Sequence, residues 1–511
     1  MSTAGEREFE SPESAVEHLN KLYQRSVTDL REAFGVYAQG VLEEKVEVFY
    51  PQVSVEVLKP SRERDKRDSF GFMTQPGNYI ATITRPDLYR EYLIDQLTAI
   101  RHNHPSSKIK VSYSEIPIPL HFTFGAGHHV EGGLSEGLQQ DIPYHFTVPS
   151  ALNGAIDNEV VDGLFDYSDD KMPLSLFSAP RIDKSLGRIS YYTGTRPEFF
   201  QNHMCFSNYD AYICKFKEMA KDLFSNGENE AKSRLGENSS TSYLAFVEPG
   251  NVITLNHNVP NVKEKFDYVS GGTPERPSQM PAYHLIKENG KGISFINIGV
   301  GPSNAQNMTD HLAVLRPDLF FMLGHCAGLA DEQKLGDYVL ANAYHRRDGV
   351  LDGYVPLDIP IPDLSEVHNA ISTGIKKAVS FNVGEVSDND LKGRYRTGTV
   401  VTEYNRNWEE DPPAVLRKRF SQSRAIGLDM ESATVATNGF RYRVPYGALL
   451  CVSDKPLQGE IKLEGMVNEF YKKSVEEHYW AGIHTMQAFE QGDLQRKHSR
   501  KLRSPFEPPF R

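Results

Sequence analysis

Val16, Leu19, Tyr23, Val27, Leu30 and Phe34 recur at spacings of three and four, which predicts an amphipathic helix. Ser11-Pro12 supplies its N-cap and first-turn proline, and Gly35 and Gly40 bracket its end. Lys45 to Leu58 and Tyr79 to Thr84 are rich in β-formers and alternate, so both predict strands. Between them Ser61 to Ser69 carries charges of alternating sign, a solvated loop. A second helix after Arg85-Pro86 shows Tyr89, Leu93, Leu97 and Ile100 on one face. Strands near Lys110–Ser114 and Ile118–Phe124 complete an α+β unit.

From Asp157 to Leu186 the composition turns to Asp, Pro and Ser, the pattern of a linker. Tyr191 to Thr195 and Phe206-Ser207-Asn208-Tyr209 then precede a helix through Phe216 and Leu223. Ser225 to Thr241 is polar and predicts a flexible boundary. The division expected is therefore an amino-terminal domain over 1–225 with a linker at 157–190, a boundary at 226–241, and a second domain over 242–511. In the second domain apolar strands are expected at Tyr243–Val247, Ile293–Ile298, Leu319–Leu323, Gly336–Leu340, Thr397–Thr402 and Tyr446–Val452. Helices intervene, and one carrying Val475, Tyr479, Ile483, Met486 and Phe489 covers the sheet. This is an α/β pattern with its loops gathered at strand ends.

At 511 residues the chain is too long for one growing core, consistent with two domains. A net charge of -12 argues against a nucleic-acid or anionic-membrane partner, both of which reward excess Lys and Arg. Cys205, Cys214, Cys326 and Cys451 form no C-x-x-C pattern, so a reduced cytoplasmic setting is expected. Met1 to Glu10 has no apolar core for a signal peptide, and no apolar run approaches the ~20 residues of a membrane span. His102, His104, His121, His128 and His129 lack helical i, i+4 ligand pairing and are read as surface or capping residues, with no metal expected.

The chemistry concentrates in Gly427-Leu428-Asp429-Met430-Glu431-Ser432-Ala433-Thr434 and, twenty residues on, Leu449-Leu450-Cys451-Val452-Ser453-Asp454-Lys455. Each places a carboxylate just past a strand, at the usual crevice for small ligands in an α/β sheet. Two such groups can divide the labour, one gripping hydroxyls and the other moving a proton. Gly299-x-Gly301 also ends a strand, but Asn304 stands where a dinucleotide fingerprint needs its third glycine. These glycines let backbone approach a ligand, with Ser303 as a donor, and Gly250 and Gly324 are strand-end glycines of the same kind. Trp408 offers a flat face for a base, or a ring for the core. Nothing resembles a nucleophile elbow.

Met430-Glu431-Ser432-Ala433 after one strand and Ser453-Asp454 after the next resemble the nucleoside phosphorylase and nucleosidase superfamily. With the additional amino-terminal α+β domain, the chain is similar to the AMP nucleosidase family within it. The resemblance implies a nucleoside-phosphorylase-like mixed sheet flanked by helices and preceded by an α+β domain. It implies hydrolysis of AMP to adenine and ribose 5-phosphate, with Asp454 as general acid toward the base and Glu431 on the ribose hydroxyls. Met430, Ser453, Gly250, Gly301, Ser303, Gly324 and Trp408 would line the substrate. To hold a proton near neutrality, Asp454 needs burial or a neighbouring anion. Phosphorolytic relatives keep phosphate-binding arginines where this chain aligns Thr254 and Met322, and His325 and Ala327 also depart from their pattern, which favours water over phosphate. The family further implies no cofactor for the chemistry, activation by ATP with magnesium, inhibition by phosphate, a homohexamer and a cytoplasmic location. A purine nucleoside phosphorylase, a non-catalytic nucleotide-binding regulator and a hydrolase of another nucleoside or 5'-monophosphate are the rival readings.

Overall fold

The computed structural model describes residues 5–42, 44–59, 68–125, 130–152, 158–166, 171–227, 229–236, 239–266, 272, 277–459, 469–492, 498–504 and 506–511. The chain forms two compact units, residues 1–188 with 503–511, and residues 189–502.

In the first unit five strands, β1 (Arg7–Phe9), β2 (Phe49–Val57), β3 (Gly77–Thr82), β4 (Lys108–Pro117) and β5 (Lys171–Pro173), form one sheet in the order β1-β4-β2-β3-β5. Helix α1 (Pro12–Ala38) is capped by Ser11 and buries Val16, Leu19, Tyr23, Val27 and Leu30, the periodic positions of its sequence. Helix α2 (Arg90–Asn103) buries Leu93, Leu97 and Ile100 in one core with Val16 and Leu19, while Tyr23, Val27 and Leu30 belong to a second. Asp183 is fully enclosed and accepts from the hydroxyls of Tyr50 and Thr84, each at 2.7 Å.

Several expectations are corrected here. Residues 118–124 form no strand but a 3-10 turn, Leu120–Thr123. Pro117 and Pro119 remove the donors that a ladder needs there. The stretch read as a linker holds β5 and the start of a helix, Ala179–Thr193, whose buried Leu186 and Ile189 keep a helical period beneath a polar composition. Most of 61–69, and His128 and His129, fall outside the described residues. The division between units lies at 188/189, not in 226–241. That polar stretch is a connection inside the second unit, carrying two short helices, Glu230–Leu235 and Ser239–Ser242.

Among the described residues the second unit is built on ten strands: β6 (His203–Ser207), β7 (Tyr243–Glu248), β8 (Val252–Leu255), β9 (Ala282–Lys287), β10 (Ile293–Asn297), β11 (Leu319–Gly328), β12 (Tyr338–Arg347), β13 (Tyr395–Glu403), β14 (Ala425–Asp429) and β15 (Tyr446–Asp454). Their order is β14-β13-β12-β15-β11-β6-β10-β9-β7-β8, and β14 also pairs with β11. That last pairing closes β11, β15, β12, β13 and β14 into a ring, while β6 to β8 extend from it as an open sheet. Strands β10, β6, β11 and β15 run parallel in sequence, so their carboxyl ends share one edge. Helices α3 (Asp210–Phe224), α4 (Pro302–Leu312), α5 (Ser365–Val383), α6 (Pro413–Ser423), α7 (Ser432–Tyr442) and α8 (Glu469–Glu490) flank this framework.

Close packing sets the layers. A Cβ on Gly374 of α5 would stand 2.5 Å from the Ala481 carbonyl of α8, so the two helices cross at backbone distance. Among the described residues no helix is long and apolar enough to cross a membrane.

Candidate active site

Strand β11 is the axis of the site because it has a partner on each side at its carboxyl end. Ala327 pairs with Asp454 of β15 and also with Leu428 of β14. The register of β11 on β15 slips between Cys326 and Ala327, leaving Ser453 as the extra residue of a bulge, with its hydroxyl 3.4 Å from the Cys326 carbonyl. A bulge re-aims the side chains beside it. The ends of β14 and β15 thus flank one strand, about 10 Å apart by sheet spacing. The Cys326 thiol between them is pushed up by burial first, with Cys451, Asp429 and Asp454 adding to the shift.

Glu431 is 2% exposed and occupies the N-cap position of α7. Its Oε1 accepts the Gly301 amide at 2.6 Å, and the Asn208 side chain also bonds it. Burial, then the neighbouring Asp429, push its pKa well above the usual carboxylate range. Asp429 is raised by burial as well, and four donors oppose that shift. Thr402 donates to its Oδ1 at 2.6 Å and the Ser432 amide to its Oδ2 at 2.8 Å. Thr402 in turn accepts the Ala433 amide at 2.8 Å, so β13 and β14 together satisfy the open first turn of α7.

The glycine turn after β10 serves this carboxylate directly. Gly299 has φ +65° and Gly301 φ +114°, a path that side chains disfavour, and it turns the Gly301 amide toward Glu431 as α4 begins. Ser303 lies exposed on the first turn of α4, and Met430 is half-buried beside Glu431. Gly324 is buried within β11, where a Cβ would come within 4.0 Å of the Asn208 side chain. Asp454 bonds the Ser453 hydroxyl, and Glu409 lies close enough for Asp454 to raise its pKa, after burial.

Two expected site residues are placed elsewhere or differently. Gly250 sits in the hairpin turn joining β7 to β8, and Thr254 lies on the edge strand β8, with four strands between it and β11. Neither stands beside the carboxylates, because the strand adjoining β11 is β6, not β7. Met322 is 1% exposed inside β11. Trp408 is 5% exposed and meets Phe420 edge to face at 5.7 Å among Val401, Leu416 and Leu428. Its ring anchors the turn that carries Glu409; stacking on a base is not the role seen.

Asn208, Thr402, Asp429 and Glu409 are site residues that the sequence reading missed. Their signal is weak, since each meets its partner only through the fold. His325 is another: it meets Tyr209 edge-on at 4.4 Å, and its Nε2 lies 3.2 Å from the Tyr212 hydroxyl, which bonds His478 Nδ1 at 2.6 Å.

A mixed sheet closed around β11, with Glu431 and Asp454 at the carboxyl ends of the strands flanking it, is the setting in which a protein of the phosphorylase superfamily is met. Residues 254–478 match the family model described as phosphorylase superfamily, and residues 14–172 match bacterial AMP nucleoside phosphorylase N-terminus. The AMP nucleosidases of Escherichia coli strains K12 and O157:H7 are each 42% identical over 509 residues, covering 98% of this chain and 98% of theirs. The chain belongs to the AMP nucleosidase family. A 5'-methylthioadenosine/S-adenosylhomocysteine nucleosidase from Haemophilus influenzae is 22% identical over 171 residues, 33% of this chain and 70% of that one. A solved AMP nucleosidase from Bacteroides thetaiotaomicron is 25% identical, covering 61% of this chain and 98% of that one, with a TM-score of 0.40.

Proposed function

We propose that this chain hydrolyses the N-glycosidic bond of AMP, releasing adenine and ribose 5-phosphate for purine salvage and control of the adenylate pool. Kinship with curated AMP nucleosidases over 98% of both lengths carries the reading. The site supplies chemistry that suits it. As the bond stretches, positive charge grows on the ribosyl ring and negative charge on the departing base. Asp454 gives a proton to the base, at N7, as the bond's electron pair leaves with it. Glu431 accepts from the ribose hydroxyls, orients the sugar and, once ionised, favours the cationic ring. The Gly301 amide and Asn208 hold Glu431 in place for this. Water adds to the anomeric carbon and releases a proton to solvent. Met430, Ser303, Gly324 and Ser453 shape the surroundings.

The same reading includes a cytoplasmic homohexamer that needs no cofactor for its chemistry. It is activated by ATP with magnesium and restrained by phosphate. Chromatography of AMP incubated with the protein in phosphate-free buffer tests the reaction. Adenine and ribose 5-phosphate are expected. Ribose 1,5-bisphosphate appearing in proportion to added phosphate would make the protein a phosphorylase instead.

A further inference from the structure

A shallow, open cleft of about 670 Å³ lies between the end of β12 and helix α6. It is lined by His345, Arg347, Lys418, Arg419, Gln422 and Val415, with Ser423 at its margin. Three permanent cations therefore face one cleft on a chain whose net charge is -12. Their compensation is partial. Arg347 Nε bonds Glu403 Oε2 at 2.8 Å, and Arg419 reaches the same oxygen at 3.9 Å and Asp411 at 3.1 Å. The Nδ1 of His345 is buried without a hydrogen-bond partner. Burial and the guanidiniums of Arg347 and Arg419 hold this ring below its ordinary pKa, an arrangement an arriving anion would relieve.

We infer that this cleft binds a phosphate-bearing small anion, held by the Arg347 and Arg419 guanidiniums with Lys418. Its volume suits a ligand larger than a single phosphate. Guanidinium forks match phosphate oxygens, and the exposed Lys418 adds a point charge at the mouth. Besides the His345 imidazole the residues lining it offer only Val415 as apolar surface, so phosphate charge, more than a base, carries the recognition. The residues that line the cleft are different from those placed around Glu431 and Asp454, and its occupancy does not rest on the proposed reaction.

Calorimetry on the full chain at low ionic strength tests the inference with inorganic phosphate, tripolyphosphate and a nucleoside triphosphate. Tripolyphosphate and the nucleotide should bind with affinities within about threefold of each other, and phosphate more weakly. Lys418→Glu reverses a charge on an exposed side chain and should weaken tripolyphosphate by about tenfold or more while AMP turnover without added anion persists. Hydrogen exchange should slow across residues 413–423 when tripolyphosphate is added to the wild-type protein. Unchanged binding in Lys418→Glu overturns the inference. So does a nucleotide that binds while tripolyphosphate does not. Loss of AMP cleavage with intact, Lys418-dependent anion binding would sink the reaction and leave the cleft standing.

Discussion

At the scale of the residue, the two carboxylates differ in what surrounds them, and their variants should differ accordingly. Asparagine at 454 keeps the shape but delivers no proton. Asp454→Asn should lose about 10²–10⁴-fold in turnover while still binding AMP, and near-normal turnover would remove Asp454 from the mechanism. Glu431 carries a raised pKa, so the native state retains a proton that the unfolded chain releases at lower pH. Its contribution to stability is therefore greatest below the ordinary glutamate range and declines as pH rises toward the native pKa. Each pH unit in that window shifts the balance of folded and unfolded chain by at most about tenfold. Glu431→Gln should flatten this decline and melt higher than wild type on the alkaline side, while turning over AMP poorly. It should harm AMP far more than 2'-deoxy-AMP, which has one hydroxyl fewer to grip. Equal losses for both substrates, with an unaltered pH dependence of melting, would contradict the assignment.

At the scale of the element, apolar runs and helical periods were legible: α1, α2, β10, β11 and β15 lie where the pattern of Val, Ile, Leu and Phe puts them. Strand partners were not legible. Phe206-Ser207-Asn208-Tyr209 reads only as the approach to a helix, within the amino-terminal division of 1–225. In the fold β6 lies between β11 and β10, and Asn208 reaches a carboxylate far along the chain. The same limit displaced Gly250, whose local sequence looks like a ligand turn although its strand lies near the sheet's edge. Glu431 and Asp454 were readable because each follows an apolar strand directly. A practical consequence concerns truncation. A fragment of residues 189–502 keeps all ten strands and should fold and release adenine. One that starts at 241 lacks β6, and its sheet is cut beside the site. Circular dichroism and thermal melting of both fragments check this, and cooperative folding of the shorter one would refute it.

At the scale of the whole molecule, a catalyst that destroys AMP needs restraint, and an effector that bound the first of the two compact units would act apart from the chemistry. A ligand changes activity only by binding one conformational state better than another. ATP with magnesium should lower the AMP concentration at half-maximal rate in the intact chain, and residues 189–502 alone should lose that response. If the fragment keeps full activation, the effector acts within the second unit.

The first unit is completed by residues from the far end of the chain. Phe510 is 1% exposed in its core, its amide bonds the Leu174 carbonyl at 3.0 Å, and Tyr92 meets it edge-on at 6.1 Å. The Gly71 amide bonds the Pro509 carbonyl at 2.8 Å, and the Arg511 amide bonds Gln96 at 2.7 Å. During synthesis these partners leave the ribosome only after all of residues 189–502, roughly 15–60 s behind the rest of the unit at ~5–20 residues per second. Until then the newborn unit waits with an apolar slot open, a window for chaperones. Loss of residues 503–511 would therefore damage the unit built by residues 1–188.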